Sequence, residues 1–274
     1  LDLVQRKLKE HLMPKLLSDL QKATMLGSPL HHDVQWVGAT NKDLCLSWSK
    51  LEKFEQCPRL FNATYIEKRF PFDADNPILK WGNKVHKDLE NYLLKGIQLP
   101  TETRRFQAAA DSIKGHTARL EAKGKLGVPL NGEQEWAMTA NGKYTTWFDS
   151  KNVFMRNKAD AMWGSKKVLF SVDWKTGKGK YPKPEQLEVV ALVGKAQPRL
   201  ANYEKHKSAL VFLEADKVVP LEIDVTPPAH EALMRKYLER GIEIVEAYEE
   251  QEWAMKPSAL CAWCDDTTCP YNKK

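Results

Sequence analysis

Two short stretches decide how this chain is read: Asn157-Lys158-Ala159-Asp160-Ala161-Met162-Trp163 and, a little further on, Phe170-Ser171-Val172-Asp173-Trp174-Lys175-Thr176-Gly177. Asp173 and Lys175 are two residues apart, so on a strand they project from one face. Asp160 precedes Asp173 by thirteen residues. A hairpin loop centred near Ser165–Lys167 would set the two aspartates across from each other, and the Gly164-Ser165-Lys166-Lys167 stretch suits such a turn. An Asp-x-Lys on a strand is commonly just an exposed charged pair. This strand is otherwise apolar (Val168, Leu169, Phe170, Val172, Trp174), so its charges look placed.

Outward from that hairpin the periodicity changes twice. From Glu133 to Lys175 the chain alternates, with turn signals at Asn141-Gly142 and Gly164-Ser165, as expected of an antiparallel meander. Upstream, Leu3, Leu8, Leu12, Leu16, Leu17 and Leu20 have helical spacing, interrupted by Pro14, and residues 26–45 read as loop. Ser47 or Ser49 is placed to cap a helix carrying Leu51, Phe54, Leu60 and Phe61, with Pro58 inside it. Residues 77–95 predict a helix ended by Gly96, and residues 103–123 a basic one. Downstream, a helix is expected over 185–204, strands over 208–214 and 218–225, and a last helix from Thr226-Pro227-Pro228. The order predicts an α/β or α+β fold, a sheet flanked by helices. A helical extension over 1–45 would precede a main domain over 46–274.

Bulk properties permit several functions. The 274 residues carry 42 Lys plus Arg against 36 Asp plus Glu, a net charge of +6 and a pI near 8.9. A mild basic excess suits a polyanionic partner without requiring one. No apolar run approaches the roughly 20 residues that span a bilayer, and the first residues lack a signal-peptide core. A cytoplasmic protein, of bacterial or phage type and with no membrane association, is the expectation. The start at Leu1 reads as a trimmed end.

The chemistry follows from residue types. Two carboxylates brought together form a hard-oxygen site for Mg²⁺ or Mn²⁺. Such an ion lowers the pKa of a bound water and polarises a phosphate, while a neighbouring lysine orients the water and balances developing charge. Phosphodiester hydrolysis needs this set.

The wider pattern resembles the PD-(D/E)XK nuclease superfamily, and within it the RecB-like exonuclease branch. Ser47-Trp48-Ser49-Lys50-Leu51-Glu52-Lys53-Phe54-Glu55-Gln56-Cys57-Pro58-Arg59 is similar to that branch's opening helix. Trp81-Gly82-Asn83-Lys84-Val85-His86 resembles its Gly-x-x-x-His helix, Asp160 and Asp173-Trp174-Lys175 its two catalytic strands, and Gln186-Leu187 its glutamine motif. The resemblance spans roughly residues 47–270 and implies an α/β restriction-endonuclease-like fold, a central mixed sheet with a catalytic antiparallel meander flanked by helices. It implies metal ligation by His86, Asp160, Asp173 and the Trp174 carbonyl. It further implies that Lys175 positions the nucleophilic water and that Gln186 holds Lys175 or a phosphate. One departure is Val190, where the glutamine motif often continues to a tyrosine. Without that frame, His86 reads as an ordinary histidine of an amphipathic helix, and Glu90 and Glu135 as secondary acids.

The chain has five cysteines. Cys261, Cys264 and Cys269 crowd the last fourteen residues, which favours metal or cluster ligation over disulfides. In the AddB and CRISPR-associated relatives a cysteine upstream of the histidine motif joins three near the C-terminus around a [4Fe-4S] cluster. That layout resembles Cys57 with Cys261, Cys264 and Cys269, including prolines after the first and last. Four thiolates also make a closed Zn²⁺ site, so zinc stays open. Cys45 reads as a plain hydrophobe.

The expected substrate is DNA, single-stranded or at ends, and the activity an exonuclease. Alternatives are a structure-specific or nicking endonuclease, or a non-catalytic DNA-binding module. A helicase or recombination partner fits the same branch. Lys178, Lys180 and Lys183, in the loop after Lys175, are candidate DNA contacts, as are Arg104 and Arg105. Any exposed members of the nine tryptophans would stack on single-stranded bases, although most are expected in the core.

Overall fold

The computed structural model describes residues 17–32, 36 and 42–273. Its helices are α1 (Asp19–Gly27), α2 (Trp48–Gln56), α3 (Pro58–Phe61), α4 (Pro77–Lys95), α5 (Gln107–Ala122), α6 (Glu185–Lys195) and α7 (Pro227–Glu250). The strands are β1 (Leu126–Asn131), β2 (Gln134–Met138), β3 (Tyr144–Thr145), β4 (Met155–Ala159), β5 (Ala161–Ser165), β6 (Val168–Lys175), β7 (Lys205–Phe212) and β8 (Lys217–Asp224). The chain divides into two compact units, one drawn from Leu1–Pro71, Thr139–Met155 and Met234–Lys274, the other from Phe72–Met138 and Arg156–Leu233.

The second unit is built on a five-stranded mixed sheet in the order β1-β5-β6-β7-β8, as an α/β protein with helix-covered strands requires. β5 and β6 are the expected antiparallel hairpin. β6 and β7 run parallel, which demands a crossover, and α6 provides it. That helix buries Leu187 and every residue from Val189 to Gly194. On the other face of β5 and β6, Ala161, Trp163, Val172 and Trp174 join Val85 and Leu89 of α4 and Ala110 and Ile113 of α5 in one core. Each large side chain so buried contributes about 1.5–3 kcal/mol before entropy is counted. α4 spans the residues expected and is closed by Gly96 with φ 68°; its start, not read from the sequence, is an Asn76 cap with Pro77 in the first position.

Two features of this unit depart from the expected meander. β1 was not expected as a strand, because Gly127 and Pro129 weaken the pattern. It is an edge strand with register shifts, where proline is tolerated. A Cβ on Gly127 would lie 2.8 Å from the Ser165 carbonyl oxygen, so glycine permits the close approach. Further, β2 pairs with β4 in a separate sheet. The alternating segment is thus split, and Asp160 sits at the bend where β4 gives way to β5 rather than inside a strand.

In the first unit, Ser47 caps α2 by accepting the Lys50 N–H. The helix expected to run through Pro58 instead ends at Cys57, and Pro58 opens α3 at its first position, where its missing N–H is harmless. Trp36, Leu46 and Phe154 close around Gly241, at which a Cβ would stand 2.8 Å from Leu46. Ser18 and Gln21 form a capping box at α1. The part of the expected N-terminal helix over residues 1–16 lies outside the described residues, as do 33–35 and 37–41 of the expected loop. Among the described residues no helix is long and apolar enough to cross a membrane.

Candidate active site

Asp160 is delivered by the hairpin register. Ala161 pairs with Val172, so the next step outward sets Asp160 against Asp173. The Trp174 N–H donates to Asp160 Oδ2 at 2.7 Å, fixing that carboxylate at the strand end. Its other oxygen, Oδ1, is 3.2 Å from His86 Nδ1 on α4. Gly82, one turn before His86, would place a Cβ 3.6 Å from Thr176 Oγ1, so the helix runs close to the end of β6. Asp173 Oδ2 receives both Lys175 Nζ at 2.7 Å and Gln186 Nε2 at 2.8 Å. Lys175 arrives from the same strand face and Gln186 from the first turn of the crossover helix.

These partners set the electrostatics. Burial works to lower the His86 pKa, but its hydrogen bond with Asp160 and the charges of Asp160 and Asp173 outweigh burial and hold it above its ordinary value, with Lys175 opposing. Burial pushes the Asp173 carboxyl above the usual carboxylate range, and the charge of Asp160 adds to the rise. Lys175 and Gln186 work the other way. Among the described residues no three His, Cys, Asp or Glu side chains are already grouped to hold a metal ion. The aspartates here are turned toward His86, the Trp174 N–H, Lys175 and Gln186. In donor chemistry the set still fits, since two carboxylates, a backbone carbonyl and an imidazole suit Mg²⁺ or Mn²⁺.

A family model described as the PD-(D/E)XK nuclease superfamily matches residues 45–272. The chain belongs to the PD-(D/E)XK nuclease superfamily. Its fold, an α/β sheet flanked by helices, is consistent with the restriction-endonuclease-like architecture of these nucleases. No curated protein matches the sequence. Among solved structures, the crystal structure of SSO0001 is similar at 15% identity over 92% of this chain and 95% of that one, with a TM-score of 0.44. A likeness that weak bears on nothing further.

Other residues singled out in this PD-(D/E)XK sequence fall as follows. Lys178, Lys180 and Lys183 are exposed in the loop between β6 and α6. Arg105 pairs with Glu214 at 2.6 Å. Glu90 bonds Lys87 at 2.6 Å. Glu135 and Glu133 share Lys158, at 2.8 and 3.1 Å. Cys45 is buried. Cys57, Cys261, Cys264 and Cys269 line one small pocket in the first unit.

Two arrangements were not read from the sequence. Asp266, 1% exposed, receives Arg59 Nε at 2.8 Å and Arg69 Nη1 at 2.9 Å, clasping the C-terminal segment to the α3 region. The pairing spans about two hundred residues of chain, and nothing local signals it. In the second unit, Lys217 Nζ donates to the Gly179 carbonyl at 3.0 Å.

Proposed function

We propose that this member of the superfamily is a Mg²⁺- or Mn²⁺-dependent deoxyribonuclease of the RecB-like branch, an exonuclease acting on single-stranded DNA or DNA ends. The observation that carries the reading is the gathering at the end of the β5–β6 hairpin of Asp160, bonded to His86 and the Trp174 N–H, and Asp173, bonded to Lys175 and Gln186. Asp160, Asp173, His86 and the Trp174 carbonyl would hold the ion. When bound, such an ion polarises the scissile phosphate and acidifies a water. Lys175 orients the attacking water and meets the charge that develops on the phosphate. Gln186 keeps Asp173 and Lys175 in register. Lys178, Lys180 and Lys183 would follow the DNA backbone.

In the same reading, Cys57, Cys261, Cys264 and Cys269 ligate a [4Fe-4S] cluster, with Zn²⁺ as the alternative. The shared pocket supports a joint ligand set. A brown protein absorbing at about 400 nm would select iron–sulfur, and a colourless zinc-loaded one would select zinc. The RecB-like reading also favours work beside a helicase or recombination partner.

The test is a Mn²⁺-dependent assay on labelled single-stranded, double-stranded, end-blocked and circular DNA. Wild type should digest free ends and leave circles intact, and Lys175→Ala should be slower by about 10²–10³-fold. Cut circles would establish the endonuclease. Wild type that degrades no DNA, with Asp173→Ala indistinguishable from it, would establish a non-catalytic DNA-binding module.

A further inference from the structure

The loop from Thr176 to Pro184 joins two residues that touch the same atom. Lys175 and Gln186 both bond Asp173 Oδ2, so both ends of the loop are fixed to the catalytic cluster. Its middle is fixed as well. Gly179 has φ 61° and presses on β7 so tightly that a Cβ there would be 2.7 Å from Phe212 Cγ. Its carbonyl accepts Lys217 Nζ from β8. Left-handed backbone with no room for a side chain makes glycine the residue for this pin.

Just past the pin stands Tyr181, 76% exposed. Lys180 Nζ lies 5.2 Å from its ring centroid, and Lys178 and Lys183 are exposed on either side. A large aromatic left in water contributes little to the fold. The tryptophans of this unit are otherwise used, since Trp136, Trp163 and Trp174 are buried and Trp81 packs against the core with Arg105 beside its ring. An aromatic face flanked by cations, on a loop held at three points, matches what single-stranded DNA offers: unpaired bases that stack and phosphates that seek positive charge. A duplex hides its base faces and has no use for the ring.

We propose that Tyr181 is a base-stacking residue for single-stranded DNA, and that the pinned loop aligns the strand with the Asp160–Asp173 cluster. The inference rests on the nuclease reading for its substrate class, but its test does not need cleavage. The experiment is fluorescence anisotropy of the full chain with a labelled single-stranded oligonucleotide and with a blunt duplex, without divalent metal. Tyr181→Ala should weaken single-strand binding by about 5- to 100-fold and duplex binding by clearly less. Tyr181→Phe, which keeps the ring, should restore most of the loss. Gly179→Ala, which keeps the Tyr181 ring but displaces the loop that positions it, should weaken single-strand binding in the same direction. Equal binding by wild type and Tyr181→Ala overturns the proposal, as does wild type that ignores single strands or an equal loss on both substrates. A Tyr181-dependent single-strand affinity in a protein that cuts nothing would keep this inference and sink the nuclease reading. Lys175-dependent cleavage with binding indifferent to Tyr181 would do the reverse.

Discussion

In the unit built on the five-stranded sheet, the proposed catalytic side chains Asp160, Asp173, Lys175 and Gln186 sit along a hairpin and the helix that follows it. In the unit that holds the cysteines, the corresponding groups come from opposite ends of the chain. Asp160 and Asp173 meet because a hairpin of fixed register must bring them together. Cys57 and Cys261–Cys269 line one pocket, and close by in sequence Arg59 and Arg69 hold the buried Asp266 of the C-terminal segment. The first arrangement is set by backbone pairing and changes little when a side chain is removed. The second depends on side chains, and one substitution can open it. Reactivity and structural integrity are therefore expected to respond to different mutations.

The largest effect should fall on the sheet. Asp173→Ala should lower Mn²⁺-dependent cleavage by about 10³-fold or more while hydrogen exchange over the cysteine segment stays as in wild type. Next comes Asp266→Ala. Removing one member of a buried ion pair costs about 3–5 kcal/mol. Both arginines are about 30% exposed, so solvent reduces the expected loss to about 2–3 kcal/mol. Urea unfolding should register it, and faster hydrogen exchange in residues 258–272 should locate it. Cleavage per folded molecule should hold, and if it fell in step with stability the comparison would fail.

Acid should also separate the units. Burial drives the His206 pKa down from 6.5 to about 3. The folded sheet therefore keeps this ring neutral, with Nε2 2.9 Å from Ser171 Oγ. Stability from that preference is complete above the ordinary value and declines as pH falls toward the folded one, because the unfolded chain takes up a proton first. At about pH 5 the loss should reach about 2 kcal/mol. His206→Gln should flatten the slope, leaving the shares of His230 and His116, whose pKa values burial also lowers. In the other unit, Asp149 accepts from Thr145 Oγ1 and Asn152. The Thr145 bond leads in holding its pKa to about 2. Its contribution is present above the ordinary carboxylate value and is lost only as pH drops toward 2. Because Asp149 is only partly buried, solvent screens the gain and Asp149→Asn should cost about 1 kcal/mol or less near neutrality. Acid titrations of the two variants would show whether the sheet unit loses stability first.

The same contrast explains what was legible in the sequence. The Gly164-Ser165 turn and the alternation around Asp173 were enough to place Asp160 opposite it, because strand register is a local property. The α4 helix was legible from Pro77 to Gly96 for the same reason. β1 was missed because Gly127 and Pro129 suppress the strand pattern, and its pairing with β5 depends on a distant segment. The break at Asp160 was missed because β4 and β5 are contiguous in sequence and only tertiary pairing assigns them to different sheets. The proposal of Cys57, Cys261, Cys264 and Cys269 as a ligand set came from family resemblance rather than from local pattern. The Asp266 clasp and the Gly179 pin had no local signature, since each depends on a residue that only the fold brings near.

Asp160, Asp173, Lys175 and Gln186 lie within one uninterrupted passage of hairpin, loop and helix, and only His86 comes from elsewhere. A parallel strand pair cannot form without a crossover, so the topology that closes the sheet also carries Gln186 back to Asp173. The passage can therefore be inherited as a cassette. Insertions before Asp160 or after α6 can enlarge or remodel the rest of the protein without altering the spacing of these four residues. Their spacing is a property of one segment, and His86 is the single position that any new surroundings must still supply.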